Sequence, residues 1–444
     1  MTSKHDPAST AILEAVGPSR ISDVLEKDSI GGIEPQISVS PESTNELSRT
    51  LAAAAEDGLA VAPRGGGTRM GLGGPLRQYD VSLSLSRLNG ILTHSPADLT
   101  ATVEAGITLD SLRQSLERHE QFLAVDAPLA EVATIGGTLA AGAIGPLKWQ
   151  FGSPRDLVVG MKVVQANGTA TKSGGQVVKN VSGYDMARLH IGGLGTLGVI
   201  SEVSFKLTPL PQRQATLLAA FPNIHRSLTA GVAVANTGVM PLAMVAFDRK
   251  VNSRASLAAS GQEDYLAVRL GGRPRTLERQ IDECRRLCLD HGALSIDLVG
   301  EGETSGLWRR ITDFGWSGDA DHVATARVSI APTRLAEFVD GLAPGDRAIS
   351  SAVVAEPGYG GALAHWFADG AENADDDVTT HLRRARDAAT QNGGQLVVER
   401  CPTAVKQMVD PWGEVGESLQ IMRRMKEQYD PEGILNPGRF VGGI

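Results

Sequence analysis

Three short loops rich in glycine and threonine are the parts of this chain best suited to hold a ligand. They lie in its first half, at 63–68, 134–138 and 192–198. Glycine lets the main chain turn through positive φ and lets a ligand approach the backbone closely. Successive free N–H groups in such loops form concave sites for anions. Three such loops in order predict a long ligand with a central pyrophosphate, held by backbone atoms.

Strands and helices of the first half are predicted to present these loops. A strand over 59–62 runs into the first loop, a small-residue helix over 137–143 follows the second, and a strand over 199–207 leaves the third. The other predicted elements are strands over 36–39, 81–85, 99–104, 157–165 and 169–173, a helix that begins at Ser43 or Thr44, and one over 108–119. They form two consecutive α/β units.

The second half has the pattern of an α+β domain, and it begins after Pro209 and Pro211. Strands are predicted over 215–221, 243–247, 265–270, 323–330, 348–355 and 361–367. Helices are predicted over 224–237, 274–292, 333–342, 378–392 and 418–428, and the acidic run 372–377 is interpreted as a solvated loop. This order favours an antiparallel sheet.

Length, charge and cysteine content exclude several classes of protein. A chain of 444 residues is longer than one hydrophobic core usually supports. A formal charge of −9 argues against nucleic acid as the main partner, because surfaces that bind phosphate backbones are basic. Three cysteines supply neither a disulfide framework nor a four-cysteine iron–sulfur cluster. Cys284 and Cys288 are interpreted as two structural thiols on one helix face.

The ends and the hydropathy of the chain bear on its location. The N-terminus has no apolar signal core, and no run of about 18 apolar residues is present. We therefore expect a cytoplasmic protein without direct membrane insertion.

Six motifs in a fixed order make the glycine loops specific. They are RGGGT at 64–68, the block 134–142, G-x-x-R-D at 152–156, the stretch 174–185, GTLGVI at 195–200 and the stretch 430–438. This set resembles the vanillyl-alcohol oxidase superfamily, whose FAD domain is of the p-cresol methylhydroxylase type. Within it, the chain is most similar to the FAD-binding subunit of glycolate oxidases. The similarity is tightest over roughly 30–210.

The resemblance implies an α+β fold in four segments. A helical N-terminal segment at 1–30 precedes an FAD-binding domain of two subdomains at 31–211. An α+β cap with an antiparallel sheet follows at 212–425. The last segment, 426–444, is expected to return to the FAD domain and close the flavin pocket; the alternative is a docked tail without ligand contact.

The resemblance also implies which residues hold FAD. The first loop is expected to wrap the pyrophosphate, the second to lie against the pyrophosphate and the flavin ring, and the third to hold the ribose and diphosphate. The implied residues are Arg64, Gly65, Gly66, Gly67, Thr68, Thr134, Gly136, Gly137, Gly142, Gly195, Thr196, Gly198, Ile200 and Asn436.

The sequence lacks two known patterns, and each absence bears on which cofactor is bound and how it is attached. Several members of the superfamily attach FAD through a histidine in or near the first loop. Residues 66–70 contain neither histidine nor cysteine, so we expect non-covalent FAD. No Rossmann fingerprint ends a first strand, which disfavours a nicotinamide cofactor.

Oxidation of a 2-hydroxy acid needs a cation for the carboxylate and a base for the hydroxyl proton. Arg327 is the candidate cation, with a surface salt bridge as the alternative; Arg309 and Arg310 are further candidates. His365 is the candidate base, with a satisfied histidine of the cap as the alternative. Tyr184 either lines the flavin or packs its own loop.

A metal site is not expected. Related catalytic subunits carry a pattern like H-x-G-D-G-N-x-H, then E-H-G, which binds a metal in the cap. The corresponding stretch here, 358–365, keeps one histidine, and Glu399 stands in the second motif without its histidine.

The resemblance implies flavin-linked oxidation of a 2-hydroxy acid, with glycolate as the expected substrate. In that family the FAD-binding subunit works with a second flavoprotein and an iron–sulfur subunit that takes the electrons. Two alternatives stay open. One is a non-catalytic FAD-binding subunit that relays electrons or acts as a scaffold, and the other is a stand-alone flavin alcohol oxidase.

Overall fold

A computed structural model describes residues 7–175, 184–258, 262–342, 349–368 and 374–444. The chain forms two compact units that interleave in sequence. The first holds Met1–Ile144, Ser153–Pro209 and Glu414–Ile444, and the second holds Gly145–Gly152 and Leu210–Gly413. The C-terminal part of the first unit thus begins at Glu414, whereas the sequence suggested 426.

Both units contain strands and helices. The strands among the described residues are β1 Ile21–Ser22, β2 Ile37–Val39, β3 Val61–Arg64, β4 Val81–Ser84, β5 Ile91–Ser95, β6 Thr100–Glu104, β7 Gln121–Phe122, β8 Val158–Val164, β9 Ala170–Gly174, β10 Val199–Lys206, β11 Thr208–Pro209, β12 Arg213–Phe221, β13 Ala243–Phe247, β14 Asp264–Gly272, β15 Ser295–Val299, β16 His322–Ser329, β17 Ile349–Glu356, β18 Gly361–Ala368 and β19 Gln395–Arg400. The helices are α1 Pro7–Val16, α2 Thr44–Glu56, α3 Leu109–Glu117, α4 Ile135–Ala140, α5 Lys148–Phe151, α6 Pro154–Leu157, α7 Ala187–His190, α8 Ile224–Ala235, α9 Arg249–Ala255, α10 Pro274–Asp290, α11 Glu301–Asp313, α12 Leu335–Gly341, α13 Ala374–Gln391, α14 Thr403–Met408 and α15 Ser418–Tyr429.

Two main sheets position the glycine loops of the first unit. In the four-stranded sheet, ordered β1-β2-β4-β3, the last three strands are parallel and β1 is antiparallel to β2. The five-stranded sheet is antiparallel, in the order β5-β6-β10-β8-β9. The first loop leaves the end of β3, and β10 begins directly after the third loop. Each of these loops is therefore anchored on a buried strand.

The second unit is built on one antiparallel sheet of eight strands, in the order β15-β12-β14-β13-β17-β18-β16-β19. One face of this sheet packs its apolar side chains, such as Leu217 and Val268, into a core with residues of α8, α10, α12 and α13. The alternate residues point to the opposite face, which carries several polar side chains: Thr216, Arg269, Thr325, Arg327 and His365. The expected α+β class and the antiparallel sheet of the cap are confirmed.

Two predicted helix starts are confirmed by their capping hydrogen bonds. The Ser43 hydroxyl accepts from the N–H of Glu46 at 3.2 Å, at the start of α2. The Thr108 hydroxyl accepts from the N–H of Ser111 at 3.1 Å, at the start of α3. Each bond satisfies an N–H group that the first helical turn leaves without a partner.

The acidic run before α13 is not the loop that the sequence suggested. Helix α13 begins at Ala374, so Asp375, Asp376 and Asp377 form its first turn. Carboxylates at a helix N-terminus are stabilised by the helix dipole, which explains why this charged segment is helical. Residues 372–373 lie outside the described residues. No described helix is long and apolar enough to cross a membrane.

Candidate functional site

The first glycine loop packs against the second. A side chain on Gly65 would collide with the side chain of Thr134, and one on Gly66 would collide with the carbonyl group of Val132. Gly67 adopts a φ of +79°, which favours glycine. In the part of the chain that the structure describes, the N–H groups of 65–68 donate no hydrogen bond. Successive uncommitted N–H groups of this kind form an anion site.

The second loop is the N-terminus of α4. The Thr134 hydroxyl accepts from the N–H of Gly137 at 3.3 Å and caps the helix. A Cβ on Gly136 would lie 2.7 Å from Cβ of Ala105, so only glycine allows this approach to the strand end. A groove of 520 Å³ borders both loops, lined in part by Gly65, Gly66 and Thr134.

The third loop is hydrogen-bonded to the end of α4. The N–H of Gly192 donates to the carbonyl of Leu139 at 2.9 Å, and the N–H of Leu194 donates to that of Ala140 at 2.8 Å. Gly142 has a φ of +59°, and a Cβ there would lie 3.2 Å from Cα of Gly192. All three predicted loops are thus brought together within one unit.

Thr196, Gly198 and Ile200 fix the shape of the third loop through their own contacts. The Thr196 hydroxyl donates to the carbonyl of Gly193 at 2.7 Å. Gly198 has a φ of +151°, and a Cβ there would lie 2.6 Å from Cγ1 of Val163. Ile200 is buried and pairs with Val163 between β10 and β8. The side chains of Thr196 and Ile200 are committed to the fold, so a contact with a ligand would come from their main chain.

The C-terminal segment joins β3 to the third loop. The N–H of Asn436 donates to the carbonyl of Val61 at 2.9 Å, and its side-chain amide donates to the carbonyl of Leu194 at 2.6 Å. Asn436 has a φ of +45°, a conformation that asparagine tolerates. Lys426 adds a second link, because its ammonium group donates to the carbonyl of Thr196 at 2.9 Å.

The converged loops suit the shape and charge of a dinucleotide. They offer uncommitted N–H groups at 65–68 for a pyrophosphate, and side chains would clash with main chain or with neighbouring side chains at Gly65, Gly66 and Gly136. The residues present therefore fit FAD. The assignment of single residues to the parts of the cofactor stays a prediction.

Arg64 differs from its neighbours in the first motif because its side chain is buried. Its guanidinium forms an ion pair with Asp28 and donates to the carbonyl of Lys27 at 2.7 Å. Asp28 was not singled out from the sequence, since it lies more than thirty residues before the motif. An acidic residue within a polar N-terminal stretch gives no signal of burial.

Arg327 lies on β16 and is paired with Glu399 of the neighbouring strand β19. The distance from Nη2 to Oε1 is 2.7 Å, and 27% of the Arg327 side chain is exposed against 4% for Glu399. The sequence did not predict β19 and so missed this pairing. Arg309 and Arg310 lie on α11 and are exposed.

His365 is completely buried on β18. Its Nδ1 lies 2.9 Å from the hydroxyl of Thr325, which lies 2.9 Å from Nε2 of His322. The ring of Phe314 meets the His365 ring edge-on at 5.0 Å. Burial, followed by the charge of Arg400, lowers the pKa of His322 to about 4. These contacts favour the structural alternative for His365, since a general base has to reach its substrate.

Tyr184 has 91% of its surface exposed. Most of its neighbours in the stretch 174–185, including Lys179 and Asn180, lie outside the described residues. The main-chain carbonyl of Tyr184 accepts from the hydroxyl of Ser173 at 3.4 Å. The role of Tyr184 at the flavin stays a prediction.

Lys148 and Glu356 form a second ion pair in the second unit, which the sequence did not reveal. The distance from Nζ to Oε2 is 2.7 Å, and both side chains are largely buried. The ammonium group lies 4.2 Å from the centre of the Tyr359 ring, a cation–π contact. The short segment 145–152 is thereby fastened to the turn between β17 and β18.

Other reactive side chains are held in inert settings. Burial raises the pKa of the Cys284 and Cys288 thiols to about 12, and that of Cys401 to about 11. A neutral thiol is a poor nucleophile. Burial also lowers the pKa of His190 to about 4. Among the described residues, no group of three or more His, Cys, Asp or Glu is arranged to hold a metal ion.

Two family models match the chain. Residues 35–174 match an FAD binding domain, and residues 210–440 match the C-terminal domain of FAD linked oxidases. The second match covers more than half of the chain.

Curated relatives span nearly its full length. Glycolate oxidase subunit GlcD of Bacillus subtilis (strain 168) is 28% identical over 433 residues, which is 91% of this chain and 89% of the relative. The mitochondrial D-lactate dehydrogenase (cytochrome) of Arabidopsis thaliana is 25% identical over 421 residues, 92% of this chain and 73% of the relative.

A solved structure of p-cresol methylhydroxylase with substrate bound has the same fold. It superposes with a TM-score of 0.73 at 15% identity, and the match covers 97% of this chain and 96% of that chain. The resemblance drawn from the six motifs is confirmed.

Proposed function

The chain belongs to the FAD-linked oxidases, and on this premise we propose that it oxidises a small 2-hydroxy acid such as glycolate or D-lactate. FAD is its cofactor, as the sequence predicted. The names of two relatives support the substrate class, because glycolate and D-lactate both carry a hydroxyl group next to a carboxylate. FAD, when bound, accepts the two electrons that leave the substrate carbon.

The ion pair of Arg327 and Glu399 is the observation that carries this proposal. The residues that pair with Arg327 across the sheet, Leu363 on β18 and Val397 on β19, are apolar. Glu399 is buried and pairs with Nη2 of that guanidinium, which restricts its orientation. A planar, oriented guanidinium is well suited to bind a carboxylate through two parallel hydrogen bonds. Arg327 is therefore proposed to bind the substrate carboxylate.

The proposed set of functional residues differs from the sequence-based one in one respect. His365 is left out, because its burial and its bond to Thr325 place it in the interior of the cap. Tyr184 stays a candidate for the flavin pocket. The loops at 65–68, 134–142 and 192–198 are proposed to hold FAD, chiefly by main-chain groups.

The test is reduction of the bound flavin by substrate. The purified chain is loaded with FAD and its visible absorption is recorded without oxygen, before and after glycolate or D-lactate is added. Bleaching of the flavin band by either acid is expected, and dithionite serves as the control that the flavin is reducible. An oxidised spectrum with both acids, in protein that dithionite bleaches, contradicts the proposal.

Arg327→Met is the matched variant for the carboxylate site. It is expected to retain FAD and to lose at least about a hundredfold in kcat/KM, which corresponds to about 2.7 kcal/mol of transition-state binding. Arg334→Met is the control, because Arg334 is an exposed arginine of the same unit that pairs only loosely with Glu337, at 3.3 Å. Equal activity of the two variants contradicts the role of Arg327.

A non-catalytic relay or scaffold subunit is the second candidate. Two observations favour it: the relative from Bacillus is named as a subunit, and the one histidine proposed as a base is buried. In this case a second flavoprotein and an iron–sulfur subunit would supply the chemistry and take the electrons. The chain alone would then bind FAD, and neither acid would reduce the bound flavin. It would also copurify with subunits that restore flavin reduction by these acids.

A stand-alone oxidase is distinguished by its electron acceptor. After substrate reduction, rapid reoxidation by air with release of hydrogen peroxide marks an oxidase. Slow reaction with oxygen and fast reaction with an artificial dye mark a dehydrogenase that passes its electrons to a partner.

A further inference from the structure

We propose that Asp28 is a positioning residue for the first glycine loop. It fixes the guanidinium of Arg64 in contact with the loop, and so keeps the N–H groups of 65–68 in the arrangement that receives the pyrophosphate of FAD. This inference rests on the proposed assignment of that loop to the pyrophosphate, and it is independent of which substrate the protein oxidises.

Asp28 is buried and fully engaged by hydrogen bonds. It ends a short 3-10 turn, Glu26–Asp28, and its carboxylate accepts from the N–H of Leu25 at 2.9 Å. The other carboxylate oxygen pairs with Nη1 of Arg64 and lies 3.3 Å from the hydroxyl of Ser82. Only 3% of Asp28 is exposed. A buried carboxylate needs such partners, because the loss of water around its charge is costly.

Arg64 links this carboxylate to the loop. It is the last residue of β3, and the glycine loop begins with the next residue. Its Nη2 lies 3.1 Å from the point that a Cβ on Gly67 would occupy, so the guanidinium is in contact with the middle of the loop. Nη1 bonds to Asp28 and also to the carbonyl of Lys27 at 2.7 Å. One nitrogen of the guanidinium is thus hydrogen-bonded to Asp28 and Lys27, and the other contacts the loop at Gly67.

The 3-10 turn is itself anchored to the sheet that carries the loop. The hydroxyl of Tyr79 donates to the carbonyl of Asp28 at 2.8 Å, and burial raises the pKa of Tyr79. Ile30 packs with Ala62, Leu76 and Tyr79 in a small apolar cluster against which Met70 also packs. Asp28 therefore cannot move without disturbing β3 and the residues after the loop.

The segment that supplies Asp28 lies outside the part of the chain that identifies the FAD domain. The match to the FAD binding domain begins at residue 35, and the sequence suggested a separate N-terminal segment up to residue 30. The contacts of Asp28 place it in the first unit as a support of the cofactor loop.

Removal of the carboxylate leaves the buried Arg64 cation with the carbonyl of Lys27 but without its charged partner. The guanidinium is then expected to turn toward water or another acceptor, and Gly67 loses its contact with Nη2 of Arg64. Asparagine keeps an oxygen that can accept from Nη1, whereas alanine does not. The two substitutions therefore separate the support of the loop from the mere presence of a charge.

The test measures the affinity of the full-length apoprotein for FAD through flavin fluorescence. Asp28→Ala is expected to weaken FAD binding at least about tenfold, and Asp28→Asn is expected to recover most of that loss. Glu46→Ala is the matched control, because Glu46 accepts from Nε of Arg20 at 2.8 Å in an ion pair of the same N-terminal region, away from the loop. This control is expected to lower the melting temperature and to leave FAD affinity within about twofold.

Several results would overturn the inference. They are unchanged or tighter FAD binding by Asp28→Ala, an equal loss in Asp28→Asn and Asp28→Ala, or an equal loss in Glu46→Ala. If Asp28→Ala does not fold, Arg64→Lys carries the test, since lysine keeps the charge but has no second nitrogen that could contact Gly67 while the first is hydrogen-bonded to Asp28 and Lys27. It is expected to bind FAD at least about threefold more weakly, and unchanged affinity refutes the proposal.

One further variant separates this inference from the assignment of the loop. Gly66→Ala places a methyl group against the carbonyl of Val132 and is expected to abolish FAD binding. Normal FAD binding by Gly66→Ala shows that the loop does not hold the cofactor, whatever the Asp28 variants do. Because none of these measurements uses a substrate, failure of 2-hydroxy acid oxidation is recognised separately.

Discussion

Nη2 of Arg327 lies 2.7 Å from Oε1 of Glu399 on the adjacent strand of the eight-stranded sheet. The arginine is partly exposed and the glutamate is buried, so the glutamate fixes the arginine and not the reverse. A guanidinium whose orientation is set by a buried partner loses little entropy when it binds a carboxylate.

Glu399→Gln is therefore expected to weaken substrate binding without removing the cation. The glutamine amide keeps one acceptor for Arg327 but loses the charge that orients it. We expect KM for the 2-hydroxy acid to rise about fivefold to tenfold, with a smaller change in kcat and unchanged FAD content. Steady-state kinetics with an artificial electron acceptor measure both constants. A fall in kcat alone, with KM constant, would assign Glu399 to a step other than binding.

The stability of the fold is expected to depend on pH through His322. Burial holds the pKa of this histidine at about 4, against 6.5 in an unfolded chain. Between these values the unfolded chain binds a proton that the native protein does not bind. The stabilisation is therefore complete above pH 6.5, and it is lost as the pH falls toward 4, by about 3 kcal/mol.

Asp248 makes the free energy of unfolding change with pH in the opposite direction. The contribution of His322 therefore has to be measured by comparing wild type with a variant. Burial raises the pKa of Asp248 to about 6, and its contribution is lost as the pH rises through that value. We therefore compare urea unfolding of wild type and His322→Gln from pH 7 to pH 4.5. Wild type is expected to lose stability relative to the variant as the pH falls. His119→Gln is the control, since His119 is exposed; a constant difference between wild type and His322→Gln over this range contradicts the prediction.

The sequence predicted the three glycine loops and most of the strands around them, because glycine clusters and apolar alternation are local signals. It did not predict β19, since Glu399 and Arg400 interrupt its apolar pattern, and so it missed the partner of Arg327. Asp28 and Lys148 were missed for a related reason. Each is a charged residue made stable by a partner that is distant in sequence, and such pairing leaves no periodic trace.

His365 shows the opposite limitation. Motif comparison made it a candidate base because it is the one histidine kept from a longer pattern. The register of β16 with β18 places it opposite Thr325 in the interior, where a hydrogen bond satisfies its Nδ1. Only the pairing of strands distinguishes a buried histidine from one that faces a substrate.

Gly136 and Gly137 are adjacent, but they are expected to respond differently to alanine. A Cβ on Gly136 would lie 2.7 Å from Cβ of Ala105 and 3.0 Å from its carbonyl oxygen. A Cβ on Gly137 would meet only the Thr134 hydroxyl, at 3.1 Å. Gly136→Ala is therefore expected to destabilise the apoprotein by about 1–3 kcal/mol through overpacking. Gly137→Ala is expected to change apoprotein stability by less than about 1 kcal/mol, since alanine favours the helix.

FAD affinity distinguishes a glycine that the fold requires from a glycine that the cofactor requires. If the main chain at Gly137 lies against the cofactor, Gly137→Ala weakens FAD binding although the apoprotein of this variant keeps near-normal stability. Thermal unfolding of the apoprotein and flavin fluorescence of the reconstituted protein measure the two quantities. Equal stability of the two variants would show that α4 can shift away from Ala105.

Lys426 connects the C-terminal helix to the third glycine loop, and its removal is expected to loosen both. Its ammonium group donates to the carbonyls of Thr196 and Leu435, each at 2.9 Å, and to the carboxylate of Asp430 at 2.5 Å. Asp430 in turn accepts from the N–H groups of Ile434 and Leu435. Burial lowers the pKa of Lys426, so this cation depends on its three acceptors.

Lys426→Met is expected to lower the free energy of unfolding by about 3 kcal/mol, because Asp430 is left as a buried charge without its cation. FAD affinity is expected to fall with it, since the third loop loses a bond at Thr196. Arg424→Met is the matched control, as Arg424 is exposed on the same helix. Urea unfolding gives the first quantity and fluorescence titration the second. A variant as stable as the control would mean that the other bonds of the C-terminal segment, such as those of Asn436 and Arg439, hold it without Lys426.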